Sequence, residues 1–290
     1  MRRIQITPWD NPLPPPKSIS VVLSTYNAPL WLEKTLWGYA MQQDSPEEII
    51  IADDGSDERT KRVIALIRDQ TTLSIKHVWH HDDGFRKCVI LNRAIDEASG
   101  DYLVFSDGDC IPRSDFIGWH RQLAKPGHFL SGGYNKLPMG LSREISEKSI
   151  ISGDAFRFPW LLRNGFIPNR QSLRLVTKGL MADLGNMTTT TRPTWNGHNA
   201  SGWTNDLIQV NGFDERMRYG GEDCELGERL INLGIQPIQI RFHAICLHLD
   251  HGRGYVNATD LERNLRIRQA TRAEALTRTK YGIRSLAKAA

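Results

Sequence analysis

The chain has 290 residues, 40% hydrophobic and 24% charged, with a formal net charge of +4. The length allows one large domain or two small ones with ample core, and the mild positive balance does not argue for a nucleic-acid partner. No apolar run approaches the roughly 18 residues of a membrane span, and Met1-Arg2-Arg3-Ile4-Gln5 lacks the apolar stretch of a secretion signal. Four scattered cysteines, Cys88, Cys110, Cys224 and Cys246, form no Cys-x-x-Cys pair and read as reduced thiols of a cytoplasmic protein.

Residues 7–17 are proline-rich and read as an extended leader. Ser18 to Leu23 is a β-branched apolar strand ending at Ser24-Thr25-Tyr26-Asn27. A helix follows from about Pro29 to Gln43, with Leu32, Leu36, Trp37 and Ala40 on one face. Glu48 to Ala52 is a second strand, ending at Asp53-Asp54-Gly55-Ser56-Asp57. Asp57 suits the N-cap of a helix carrying Val63, Ile64 and Ile67. Ile75 to Trp79 is a third strand and runs into His80-His81-Asp82-Asp83-Gly84-Phe85-Arg86-Lys87. A helix from Cys88 to Ala98 then leads to the strand Tyr102 to Phe105, which ends in Asp107-Gly108-Asp109.

Strand–helix alternation over about 130 residues predicts an α/β fold with a mainly parallel, Rossmann-like sheet. Each polar cluster follows a strand, so the clusters gather at the carboxyl edge, where such sheets bind ligands. Two carboxylates in one turn repel unless a cation lies between them. Carboxylate oxygens suit Mg²⁺ or Mn²⁺, and such an ion can carry a diphosphate. Neither the glycine-rich dinucleotide fingerprint nor a P-loop follows the first strand, which argues against a dehydrogenase and an ATPase.

Beyond Ser131 the pattern loosens. Residues 132–200 show no clean period and read as an irregular cover, the place for a lid or acceptor contacts. Regular structure returns with Thr204 to Val210, a helix from Glu222 to Leu233, one or two strands within Gln236 to Leu249, and a basic helix from Thr259 to Lys280. No repeat or linker divides the chain. It reads as one unit over 1–290: an 18–130 half, a 131–258 half and a basic tail over 259–290. His248 and Asp250 share one strand face and His251 follows. Glu222 and Asp223 open a helix after two glycines that let backbone approach a ligand. Trp160, Trp195 and Trp203 are either sugar platforms or core.

These residues carry a resemblance. Ser18 to Asn27, Ile51-Ala52-Asp53-Asp54-Gly55-Ser56 and Ser106-Asp107-Gly108-Asp109 resemble the nucleotide-sugar motifs of family 2 glycosyltransferases with the GT-A fold. Gly197-His198-Asn199-Ala200-Ser201, Asn211-Gly212-Phe213-Asp214-Glu215 and Gly220-Gly221-Glu222-Asp223-Cys224-Glu225 are similar to the C-terminal part of the β-1,4-galactosyltransferases. Bacterial chondroitin- and hyaluronan-type polymerase domains combine both halves, and the match runs over about 18–251. The resemblance implies inverting transfer from a UDP-sugar to a glycan or lipid-linked acceptor, in surface polysaccharide or lipopolysaccharide assembly on the cytoplasmic side. It implies that Asp54 meets the uracil ring and that Ser24 and Tyr26 line the nucleotide, with Asp107 near the ribose and Arg86 at the diphosphate or nucleoside. Asp109 and a late histidine would hold Mn²⁺ (or Mg²⁺); His248 is preferred, with His251 in reserve. Asp223 would be the base, with Glu222 its neighbour, and Tyr219, where those enzymes have tryptophan, would stack on the acceptor. Cys224 and residues 132–195 depart from the pattern.

Two rival readings are a sugar nucleotidyltransferase, which wants a glycine-rich basic loop after the first strand, and a non-catalytic sugar-binding protein, which does not need Asp109, Asp223 and His248. The tail from Asp260 carries eight basic residues against three acids, which suits peripheral contact with an anionic membrane or a solvated packing helix.

Overall fold

The structure is a computed structural model describing residues 14–252 and 256–284. Of the proline-rich leader, residues 7–13 lie outside the described residues, as does the end of the basic tail from 285 onward.

Four parallel strands build the expected sheet: β1 (Ile19–Thr25), β2 (Glu48–Asp53), β3 (Ile75–Trp79) and β4 (Tyr102–Asp107), in the order β3-β2-β1-β4. Helices α1 (Pro29–Ala40), α2 (Glu58–Gln70) and α3 (Lys87–Glu97) are the crossovers. Pro29 opens α1 in the first turn, where its missing N–H costs nothing. Asp57 caps α2 by accepting from the Arg59 N–H. The three inner strands β2, β1 and β4 are mostly apolar because both faces are covered, whereas the edge strand β3 exposes Lys76 and Trp79. Val21, Leu23, Ile49, Ile51 and Val104 pack with α1 and α2 on one face. Val22, Ile50, Leu103 and Phe105 pack with α3 on the other.

The sheet then grows by strands of mixed direction. After β5 (Cys110–Pro112) and α4 (Phe116–Leu123) come β6 (His128–Ser131), β7 (Asn135–Lys136), β8 (Ala200–Trp203), β9 (Gln236–Gln239) and β10 (Cys246–His248). The seven-strand order is β3-β2-β1-β4-β8-β6-β9, with β8 antiparallel to both neighbours. A small sheet, β5-β10-β7, stands beside it. Strand β8 carries no apolar period because its partners need small, polar residues. The Ser201 hydroxyl contacts the Tyr102 hydroxyl at 2.9 Å and the His120 ring at 2.7 Å, and Gly202 faces the Trp195 ring. Asn199 explains the adjoining motif. Its amide donates to the Gly133 and Ala244 carbonyls, and its oxygen meets His120, which ties the two sheets together.

Between β7 and β8 run five short helices: α5 (Met139–Glu144), α6 (Glu147–Ile151), α7 (Phe158–Arg163), α8 (Leu173–Val176) and α9 (Leu180–Thr188). Leu141, Ile145, Ile150, Leu161, Phe166 and Leu175 join the α1-side core. Trp195 is fully buried, and Trp160 and Trp203 pack on the core, so all three tryptophans serve as structure.

Helix α10 (Thr204–Gln209) leads to the Asn211-Gly212 turn, where both residues have positive φ and a Cβ on Gly212 would collide with Asn92. Helices α11 (Glu222–Asn232) and α12 (Ala258–Ala273) complete the second layer. The helix expected over Thr259 to Lys280 stops at Ala273, because Asn232 takes the Thr271 and Leu276 carbonyls and Ala275 turns with positive φ. The chain then returns along the Asn211 turn: Asn211 donates to the Thr279 carbonyl, and the Thr279 hydroxyl donates to Asp214. The tail is therefore part of the body. Arg268 and Arg272 both bond Glu228, and Arg263 bonds Asp260. Among the described residues, no helix is long and apolar enough to cross a membrane.

Candidate active site

A cleft of about 1300 Å³ opens at the carboxyl edge of the parallel strands. The end of β1 supplies Ser24 and Tyr26, the end of β2 supplies Asp54, and the turn after β4 supplies Asp107 and Asp109. From the second half come Tyr219, Glu222, Asp223, His248 and His251. Strand ends converge here because parallel strands point the same way. Of residues 132–200, Tyr134 and His198 line the cleft. The expected cover is thus mostly a layer beside the sheet, drawn there by its buried leucines and isoleucines.

Arg86 departs from expectation. Its guanidinium lies 3.2 Å from Asp83 and is not part of the cleft wall, while its backbone N–H donates to Asp54 at 3.0 Å. The neighbouring Lys87 points inward instead, since α3 begins there and reverses the side-chain direction. Asp54 is held by this N–H and by His80 at 2.7 Å; burial raises its pKa while those contacts oppose the rise. Tyr26 donates to Asp82 at 2.8 Å.

Asp107 accepts from the Ser24 hydroxyl at 2.7 Å and from the Lys87 ammonium at 3.0 Å. Burial alone would raise its pKa, but Lys87 and Ser24 hold it well below the usual carboxylate range. Asp223 answers the same ammonium differently. Burial is the largest influence and, with Glu222 and Asp107 adding repulsion, pushes its carboxyl up to about 7, against the pull of Lys87. One of its oxygens, Oδ1, is buried without a hydrogen-bond partner among the described residues. The turn before it requires glycine: Gly220 and Gly221 have φ of 111° and 90°. Gly197 closes over it, where a Cβ would sit 2.9 Å from the Asp223 carboxylate. Glu222 is occupied differently, with Oε2 accepting from the Gly220 N–H at 2.7 Å.

Asp109 faces two imidazoles. His251 Nε2 lies 3.0 Å from one carboxylate oxygen and His248 Nε2 3.8 Å from the other, with the two rings stacked. Each histidine has its Nδ1 against a backbone carbonyl, of Leu249 and Gly252 respectively. That contact places the proton on Nδ1 and turns the Nε2 lone pair toward Asp109. Lone pairs facing a carboxylate call for a proton or a cation between them, and one carboxylate with two imidazoles fits Mn²⁺, which accepts oxygen and nitrogen ligands, better than Mg²⁺, which prefers oxygen. Cys110 adjoins this group, but burial raises its thiol pKa well above the ordinary value, which keeps it protonated and a poor ligand. The preferred histidine and its reserve thus stand together.

Three cleft residues escape sequence reasoning. Lys87 adjoins the Gly84-Phe85-Arg86 turn and is distinguished from Arg86 only by the local backbone. His198, whose pKa burial lowers to about 4, sits in the Gly197–Ser201 stretch. Tyr134 packs its ring against His198 and His248 at 4.6 and 5.0 Å, and no pattern around it signals this. On the acceptor side Phe85 and Tyr219 meet edge to face at 6.1 Å.

Comparison with known proteins bears on the family and the fold. Residues 20–125 match Glycosyl transferase family 2. Over 81% of its length the chain is 30% identical to the validoxylamine A glucosyltransferase of Streptomyces hygroscopicus subsp. limoneus, covering 52% of that protein. The chain belongs to glycosyl transferase family 2. The chondroitin synthase of Escherichia coli is 24% identical over 74% of the chain, which covers 32% of it. The chain therefore spans about half, or less, of the length of these relatives. In fold, Staphylococcus aureus TarS 1-349 in complex with UDP-GlcNAc superposes with a TM-score of 0.58 at 14% identity, covering 89% of this chain and 69% of that one. The mannosyltransferase PcManGT from Pyrobaculum calidifontis, in complex with GDP-Man and Mn²⁺, gives 0.54 at 20% identity, covering 92% and 66%. The GT-A reading of the mainly parallel sheet is thereby established.

Proposed function

We propose that this family 2 glycosyltransferase moves a sugar from a UDP-sugar to a hydroxyl of a glycan or glycolipid acceptor, with inversion at the anomeric carbon, in surface polysaccharide or lipopolysaccharide assembly on the cytoplasmic side. The observation that carries the proposal is Asp223: a half-buried carboxylate at the cleft, with a pKa near neutrality and a buried oxygen that has no partner among the described residues. A general base works best with a pKa near the operating pH.

On the donor side, proteins of this fold form complexes with UDP- and GDP-sugars alike, so the fold does not choose the base. Asp54 supplies the choice, since a carboxylate accepting from an imide N–H is left unpaired by other bases. Asp109, His248 and His251 would hold a divalent cation such as Mn²⁺ or Mg²⁺, which when bound offsets the diphosphate charge. Ser24 and Lys87 keep Asp107 ionised and in place beside the ribose. Lys87 adds a fixed positive charge beside the departing diphosphate. Tyr219 and Phe85 offer ring faces to the acceptor sugar. The acceptor hydroxyl gives its proton to Asp223 as its oxygen bonds to the anomeric carbon, and the bond from that carbon to the diphosphate oxygen breaks on the opposite face.

The test is a screen of UDP- and GDP-sugars for Mn²⁺-dependent release of nucleoside diphosphate, with and without oligosaccharide acceptors. Release from one UDP-sugar that accelerates with acceptor is expected. Pyrophosphate-dependent formation of UTP would assign the protein to the nucleotidyltransferases, and binding without turnover would make it a sugar-binding protein.

A further inference from the structure

Helix α9 is inside out. An ordinary surface helix buries its apolar stripe and shows its polar one. Here Leu180, Met181, Leu184 and Met187, all on one face, are 85%, 64%, 50% and 83% exposed. The opposite face holds Ala182, Asp183, Gly185 and Asn186, and this is the side that docks. Asp183 pairs with His243 at 3.1 Å, Asn186 accepts from the Phe242 N–H at 3.0 Å, and Gly185 lies against the Phe242 ring. The outward apolar face is thus fixed by polar contacts on the other side. The preceding segment continues it with Ile167, Leu173 and Val176, which are also exposed.

The charge around this face has one sign. Within 162–192 the basic residues are Arg163, Arg170, Arg174, Lys178 and Arg192, and Asp183 is the single acid. Arg163, Arg170, Lys178 and Arg192 are exposed and make no ion pair among the described residues. This contrasts with α12, whose arginines bond Glu228 and Asp260. Exposed leucine and methionine flanked by unpaired arginine and lysine is the composition of a helix that lies in a bilayer interface. A second copy of this chain fits poorly, because a two-fold contact would set these cations against themselves.

We infer that α8 and α9 form a membrane-docking face that inserts Leu180, Met181, Leu184 and Met187 into the headgroup boundary of an anionic bilayer. The face connects to the cleft: Arg174 of α8 donates to the Tyr134 carbonyl at 3.3 Å, and Tyr134 lines the cleft beside His248. A docked molecule would keep the acceptor wall close to the lipid surface. The inference rests on the glycolipid acceptor proposed above, but its readout is binding and not transfer.

The experiment is flotation of the full chain with vesicles of phosphatidylcholine alone and with one quarter phosphatidylglycerol, at low and at physiological salt. Wild type is expected to float with the anionic vesicles, weakening with salt. The quadruple variant Leu180→Gln, Met181→Gln, Leu184→Gln and Met187→Gln should partition at least tenfold less. The pair Arg163→Gln and Lys178→Gln should weaken binding by about fivefold for each charge that lies at the surface. Circular dichroism confirms that the variants fold, and unchanged turnover on a soluble acceptor separates lost docking from a damaged site. Wild type that stays at the bottom of the gradient, or a quadruple variant that floats as well as wild type, overturns the inference. A dimer by light scattering that the quadruple variant converts to monomer also overturns it, and assigns the face to a second copy.

Discussion

The two walls of the cleft meet at Lys87 and treat a carboxylate in opposite ways. On the donor wall, Asp107 has the ammonium at 3.0 Å and the Ser24 hydroxyl at 2.7 Å, and stays ionised well below the usual range. On the opposite wall, burial pushes the Asp223 carboxyl up to about 7, with Glu222 and Asp107 adding repulsion against the pull of the same ammonium, and one oxygen has no partner among the described residues. The two residues have the same chemical group and both are half-buried. Hydrogen bonding separates them: a carboxylate with satisfied oxygens is a fixed charge, whereas one left unsatisfied is ready to take a proton. The first suits binding and the second suits chemistry.

The largest effect should come from the donor wall's cation site. Asp109→Ala should abolish transfer and weaken UDP binding in the presence of Mn²⁺, measured by calorimetry with and without the ion. Wild-type turnover that persists in EDTA would remove the cation from the account. Next is Asp223→Asn, which keeps the shape and removes the basicity. Turnover should fall by about 10²–10⁴-fold while affinity for UDP stays near wild type, because the lost interaction belongs to the transition state.

The contrast in pKa has its own signature. Only ionised Asp223 accepts a proton, so kcat/KM should rise about tenfold per unit up to about pH 7 and then level. Lys87 lowers the Asp223 pKa, so Lys87→Met should move that limb to higher pH, besides slowing the reaction. A limb that stays in place under Lys87→Met would show that the ammonium does not couple the two walls. The smallest effect is expected from Glu222→Gln, a few-fold at most, because Glu222 bonds the Gly220 N–H and a glutamine oxygen can accept the same bond. If Glu222→Gln is inactive and Asp223→Asn is not, the two acids have exchanged roles.

Local chemistry made much of this legible. The apolar runs at 18–23, 48–52, 75–79 and 102–105 form parallel strands, all but the edge strand at 75–79 buried on both faces, and their polar ends meet in one cleft. Asp57 caps its helix, and Gly220 and Gly221 take the positive φ that the turn before Asp223 needs. What failed depended on direction or on distant partners. Arg86 and Lys87 are adjacent cations, and the start of α3 decides which one enters the cleft. Residues 132–200 lack a period because several short helices each bury only one or two side chains. The tail helix stops at Ala273 because Asn232, some forty residues earlier, claims its last carbonyls.

The sequence by itself determined the strand–helix alternation, and with it the parallel sheet and the edge where ligands bind, because hydrophobic period and turn chemistry act over a few residues. It also determined which aspartates and histidines end those strands. Only the tertiary structure decided what each group is for. The pKa of Asp223, the pairing of Asp107 with Lys87, the joint approach of His248 and His251 to Asp109, and the outward apolar face of α9 all arise between segments far apart in the chain. Burial and charge depend on three-dimensional neighbours, which no local pattern records.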